Sequence, residues 1–124
     1  MPLSRRSFFA LPVFAALPTS NALAQAETFP AKAIRIIVPF APGGSGDITA
    51  RLVGKYIEDK TGQPFVVENK PGANGIVGAL SVKSAPADGY TLMLATTSTN
   101  AANIHMYKNP GYDPETDFQV VGII

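Results

Sequence analysis

Residues 34–46 constrain this chain most. A short apolar, β-branched run, IRIIVPF at 34–40, is broken at once by Pro42-Gly43-Gly44-Ser45-Gly46. A run of that length and composition reads as a buried strand, and the Pro/Gly cluster as the turn that ends it. From Asp47 the spacing becomes helical, with Ile48, Leu52 and Tyr56 in one apolar stripe beside Val53 and Ile57. Gly62, after Glu58, Asp59 and Lys60, supplies a stop signal.

The same unit then repeats. Residues 65–67 predict a second strand, 69–75 a second Gly/Pro/Asn turn, and 76–84 a second helix with Leu80 one turn from Ile76. Pro86-Ala87-Asp88-Gly89 is a turn, YTLMLA at 90–95 a third strand, and Thr96 to Asn100 a polar run at its end. Residues 111–114 read as a loop and the apolar residues 120–124 as one more strand. The order β-α-β-α-β predicts the α/β class, with a parallel sheet and flanking helices. Ligands of such sheets bind at the carboxyl ends of the strands. The Gly-rich turn after strand one and the Thr/Ser run after strand three should share that edge.

Composition excludes several classes of function. Of 124 residues, Arg5 and Arg6 lie in an apparent leader, and without them eight basic residues face nine acidic ones. A near-neutral chain has no electrostatic footprint for nucleic acid or an acidic membrane. Absence of cysteine excludes disulfides, thiol catalysis and thiolate metal sites. The leader itself is Ser4-Arg5-Arg6-Ser7-Phe8-Phe9, then an apolar run to Leu17, then small-x-small sites at Ala22-Leu23-Ala24 and Ala24-Gln25-Ala26. That run is too short to span a bilayer. Residues 1–26 are therefore expected to be a signal peptide of twin-arginine or Sec type, and residues 27–124 the exported part.

Candidate functional residues sit on the three turns. Phe40, Ala41, Pro42, Gly43, Gly44, Ser45 and Asp47 either bring main-chain N–H groups to an anion or form a plain strand-to-helix turn. Asp47 suits a helix cap, or contact with a ligand ammonium. Asn74 and Gly75, in Pro71-Gly72-Ala73-Asn74-Gly75, are a second place for such amides or another plain turn. Thr96, Thr97, Ser98 and Thr99 offer hydroxyl donors that cap a helix or face a ligand.

Catalytic signatures are missing. Gly44-Ser45-Gly46 begins a dinucleotide fingerprint, but Thr49 stands where its third glycine belongs, and no Lys-Ser/Thr pair completes a phosphate loop. His105 is the single histidine, with no triad motif around it, and a surface position is its plain reading. Glu58-Asp59 and Glu115/Asp117 read as solvated surface charge. No catalytic residue, metal site or cofactor is expected.

Several blocks in fixed order resemble one family: Phe29-Pro30 leading to IRIIVPFAPGGSGDITAR, then GQPFVVENKPGANGIVGA, then APADGYTLMLATTST, then Tyr107, Tyr112-Asp113-Pro114 and Asp117-Phe118. They resemble the Bug/TctC receptors, extracytoplasmic solute-binding proteins of tripartite tricarboxylate transporters. The resemblance implies a type II-like periplasmic-binding-protein lobe that closes on a small carboxylate: a di- or tricarboxylate, an acidic amino acid or an aromatic acid. It also implies a periplasmic monomer whose partners are that ligand and the transporter's membrane subunits. The family's ligand turn maps onto 40–47, its Pro-Gly-Ala-x-Gly turn onto 71–75, and its third segment onto 96–99. Asn100 replaces a histidine often found there, and Ile104 the proline that usually follows the asparagine matched by Asn103. Family members run to roughly 300 residues, two domains of ordinary size. The chain is accordingly expected to be a truncated amino-terminal part of domain one, without domain two. A sensor lobe serving a signalling partner, or part of a secreted α/β enzyme, are the alternative readings.

Overall fold

The computed structural model describes residues 28–124. The expected signal peptide, residues 1–26, lies outside the described residues. Strand β1 (Ile34–Val38) runs between β2 (Phe65–Asn69) and β3 (Thr91–Met93), parallel to both, in the order β2-β1-β3. Ile34 stands opposite Phe65 and Val38 opposite Asn69, while Arg35 faces Thr91 and Ile37 faces Met93. The two crossovers are helices α1 (Ser45–Thr61) and α2 (Ile76–Lys83), and a short α3 (Asn103–Met106) follows the third strand. The β-α-β-α-β order read from the sequence is the order observed.

Each helix takes one face of the sheet. Ile36, Val38 and Leu94 enclose Ala50 of α1, with Phe65, Val67 and Leu92 packed around them. On the other face Ile76 and Ala79 of α2 meet Tyr112, Met93 and Phe118. Ile36, Ile37 and Val38 are buried in succession, so from Ile36 onward β1 is covered on both faces rather than alternating. It stops before Phe40, earlier than its composition suggests, because Pro39 has no N–H for the ladder. β2 runs two residues further than its apolar stretch, since Glu68 and Asn69 still find partners in Ile37 and Val38. The third strand is shorter than the six residues expected, although its flanks still bond β1: Arg35 N–H donates to the Tyr90 carbonyl (2.8 Å) and Leu94 N–H to Ile37 (2.9 Å).

Helix α1 corrects the expected apolar stripe. Ile48, Leu52 and Tyr56 are 62%, 73% and 64% exposed, and the face turned to the sheet is Asp47, Ala50 and Gly54. The cause is close approach. A Cβ on Gly54 would overlap the Phe65 ring, coming within 3.0 Å of Cε1 and 3.1 Å of Cγ, and one on Gly46 would lie 2.9 Å from Leu94. Small residues at 46, 50 and 54 let the helix lie directly on the strands, and the large ones are left outside. Gly62 ends the helix as expected, left-handed at φ 69°, its N–H donating to Glu58.

Residues 120–124 form no strand. Val120, Val121, Ile123 and Ile124 are 70–96% exposed, and neither outer strand of the sheet takes them as a partner. An apolar, β-branched run becomes a strand only when an edge accepts its hydrogen bonds.

Gly54→Ala should therefore destabilise the chain by about 1–3 kcal/mol through overpacking, despite alanine's better helix propensity. Leu52→Gln should stay within about 0.5 kcal/mol. Urea denaturation of the three chains checks both, and a neutral Gly54→Ala would contradict the close packing of α1 on β2.

Candidate functional site

Because the three strands are parallel, the segments that follow them emerge at one rim. They also touch. A Cβ on Gly75 would fall 2.8 Å from the Thr99 methyl, 3.3 Å from Pro39 Cβ and 3.7 Å from Phe40 Cζ. Gly75 thus stands where the turn after β1, the turn after β2 and the segment after β3 converge, and its hydrogen is what admits the other two.

In the first turn Ala41, Pro42, Gly43, Gly44 and Ser45 are exposed and Phe40 is half-buried. Gly43 turns the chain at φ 83°. Gly44 is the N-cap of α1 and supplies no side-chain cap. The first α-helical bond runs from Ile48 N–H to Gly44 (3.0 Å), so the N–H groups of Ser45, Gly46 and Asp47 precede it at the positive end of a 17-residue helix.

Asp47, expected as a cap or a ligand contact, is 5% exposed and engaged internally. Its Oδ2 accepts from Gly43 N–H (2.9 Å) and Arg51 Nε (3.1 Å), and Arg51 Nη2 lies 3.0 Å from Oδ1. From the third helical position the carboxylate reaches back to the residue before the N-cap, a variant of the capping box. Its side chain therefore shapes the turn rather than lining it. Asn69, at the end of β2, donates to the Phe40 carbonyl at 3.2 Å and ties the first turn to the second strand.

The second turn carries four successive positive φ values: Gly72 136°, Ala73 44°, Asn74 53° and Gly75 90°. Asn74 is exposed and Gly75 buried, with Gly75 N–H donating to Gly72 (2.9 Å). In the third segment Thr97 is exposed and Ser98 half-buried, whereas Thr99 is wholly buried. Thr96 N–H donates to Thr99 Oγ1 (2.9 Å) and the Thr99 hydroxyl returns to the Thr96 carbonyl (3.1 Å). This ring uses the Thr99 hydroxyl for the local turn, the capping role that the sequence offered beside ligand contact. Thr96 Oγ1 is buried with no protein partner.

Sequence reasoning anticipated the three turns but assigned no structural role to the side chains that hold them, Arg51, Asn69, Asn103 and Tyr112, although the family pattern includes all four. The Asp47/Arg51 pair also carried a local signal, opposite charges four apart on a helix. His105 is exposed. Among the described residues no group of three or more His, Cys, Asp or Glu side chains converges as metal ligands, and no helix is long and apolar enough to cross a membrane. Two concavities lie elsewhere, one of about 590 Å³ at the strand-start rim beside Phe29, Pro30 and Lys60, the other of about 230 Å³ between α1 and β2. At the rim where the turns converge, residues 41–45, Asn74 and Thr97 are exposed.

A family model described as "Tripartite tricarboxylate transporter family receptor" matches residues 49–124. Protein BugT of Bordetella pertussis is 43% identical over 90 residues, which cover 73% of this chain and 28% of BugT. Among solved structures, the periplasmic binding protein BugD superposes with a TM-score of 0.68 at 39% identity, over 73% of this chain and 30% of that one. MatC from Rhodopseudomonas palustris, solved with bound malate, gives 0.69 at 37% identity over 73% and 31%. Rpa4515 of R. palustris, solved with adipate, gives 0.63 at 36% identity over 71% and 29%. The chain spans less than a third of the length of each of these proteins.

The Arg51 guanidinium first, then the Gly43 N–H, hold the Asp47 carboxyl down from 3.8 to about 2, against burial, which raises it; Asn69 also lowers it. The unfolded chain takes up this proton first as the pH falls, so Asp47's contribution to folding is complete above about pH 4 and drains away towards pH 2. Asp47→Asn should flatten that part of the acid limb, while the limbs of Asp88 and Asp117, also lowered, remain. Thermal denaturation of both chains between pH 2 and 5 tests this; parallel curves would show that the Asp47 carboxylate does not hold the turn.

Proposed function

The chain belongs to the tripartite tricarboxylate transporter receptor family, and from that membership we propose that it forms the amino-terminal part of a solute-binding lobe that captures a small carboxylate outside the cytoplasm. The observation that carries the reading is the convergence of three turns at one strand rim. There Gly75 packs against both Phe40 and Thr99, beside the start of α1 without a side-chain cap. Recognition runs through main-chain N–H groups of Ser45, Gly46 and Asp47, with donors from 97–99 and the main chain of Asn74 alongside. None of residues 40–47, 71–75 or 96–99 is Lys or Arg, so peptide dipoles and hydroxyls rather than a side-chain cation face the anion.

Malate and adipate in the related solved proteins support a dicarboxylate as the ligand class. In this reading the protein works in the periplasm and delivers its ligand to the membrane subunits of a tripartite transporter. Family members are solute-binding receptors, which supports capture without chemical turnover.

One rim offers a ligand half of a cleft, so the chain by itself should bind weakly. Titrating malate into the isotope-labelled chain should move the amide resonances of 44–47 and 97–99 with millimolar affinity, and calorimetry should show no tight one-to-one complex. Ser45→Pro refines the test. Ser45 is the first helical residue, where proline fits without breaking the helix, and Gly44 already holds the extended conformation (φ −77°, ψ 171°) that precedes a proline. The substitution removes a single N–H, and affinity for malate should fall about tenfold or more, as for a hydrogen bond to a charged group. Malate shifts confined to other surfaces, or a Ser45→Pro chain that binds as well as its parent, would sink the proposal.

A further inference from the structure

The second and third turns are joined by buried side chains that reach no ligand position themselves. Asn103, the first residue of α3, is wholly buried and Tyr112 is 5% exposed. Asn103 Nδ2 donates to the Asn74 carbonyl (3.1 Å) and to the Tyr112 hydroxyl (3.1 Å), and its Oδ1 accepts from Asn74 Nδ2 (3.0 Å). The Tyr112 hydroxyl in turn donates to the Thr99 carbonyl at 2.6 Å. The chain Asn74–Asn103–Tyr112–Thr99 therefore runs from one turn to the other, and the contact of Gly75 with the Thr99 methyl closes it.

Two physical facts give this chain a purpose beyond filling the core. A buried amide or hydroxyl left without a partner is costly, so its members are made or lost together. Ala73 and Asn74 also hold left-handed backbone angles that side-chain-bearing residues avoid, and Asn103 grips Asn74 by main chain and side chain at once. The tyrosine ring is anchored independently, edge-on to Phe118 at 5.7 Å and against Ile76 and Ala79.

We propose that Asn103 and Tyr112 are positioning residues. They lock the turn at 72–75 to the segment at 96–99, so that both present their donors to a carboxylate as one rigid unit. This rests on the carboxylate reading above, but the locking can be tested without any ligand. Tyr112→Phe keeps the ring and deletes only the hydroxyl, and Asn74→Gly keeps the left-handed backbone and deletes only the side-chain tie. In the full chain, amide hydrogen exchange at 73–75 and 97–103 should quicken about tenfold or more in each variant, with the β1 amides of Ile36, Ile37 and Val38 unchanged. Malate affinity, read from amide shifts where both chains are folded, should fall about five- to tenfold.

Unchanged exchange at both turns overturns the proposal, and so does an equal acceleration throughout the sheet, which would mark a purely global role. Local acceleration with undiminished malate affinity overturns the positioning role as well. If the turns loosen but the parent chain itself shows no malate response, the lock stands and the carboxylate reading falls.

Discussion

Everything in this chain is arranged around the double pairing of β1. All five of its residues pair in parallel with β2 on one side and three of them with β3 on the other, and parallel pairing allows no short return. Each crossover must carry a helix back across a face of the sheet, and each strand must then discharge its chain at the same rim. The convergence of three turns is thus a consequence of strand direction before it is a consequence of any side chain. What the side chains add is distance. Glycines at 46, 54, 75 and 78 stand where a Cβ would strike Leu94, Phe65, Thr99 and Pro39, and they set how near helix, strand and turn can come.

Much of this was legible in the sequence because backbone-level signals report backbone-level structure. The break from IRIIVPF into Pro-Gly-Gly-Ser-Gly located β1 and the start of α1, and the same logic found β2, α2 and β3 to within a few residues. The inward face of α1 was not legible. Periodicity of large apolar residues assumes that the core is filled by bulk, whereas here Ala50 and Gly54 touch the strands and Leu52 faces outward. The apolar run at 120–124 misled for a related reason: strand character belongs to a pairing, and no edge of this sheet supplies the partner.

The candidate site divides along the same line. Its three turns were readable because glycine, proline and asparagine announce irregular backbone. Its internal scaffolding was not, since Asn103 and Tyr112 lie 29 and 38 residues beyond Asn74 and nothing local marks them as its companions. Asp47 was readable as a helix-start residue, but its grip on Gly43 and Arg51 depends on how the turn folds back. The two departures from the family pattern are sequence neighbours of this scaffolding. Asn100 Oδ1 lies 3.3 Å from the Thr99 hydroxyl as an alternative acceptor to the Thr96 carbonyl, and Ile104, 40% exposed, follows the buried Asn103.

The pairing of Arg51 with Asp47 has one more consequence. The guanidinium meets the carboxylate through both Nε and Nη2, so the charged side chains nearest the first turn cancel. A carboxylate held there, as proposed, would feel oriented dipoles at short range and almost no monopole at long range. Dissolved salt screens distant charges over about 10 Å at 0.1 M and has little to screen in such a site. Carboxylate binding of the proposed kind would therefore change little with ionic strength.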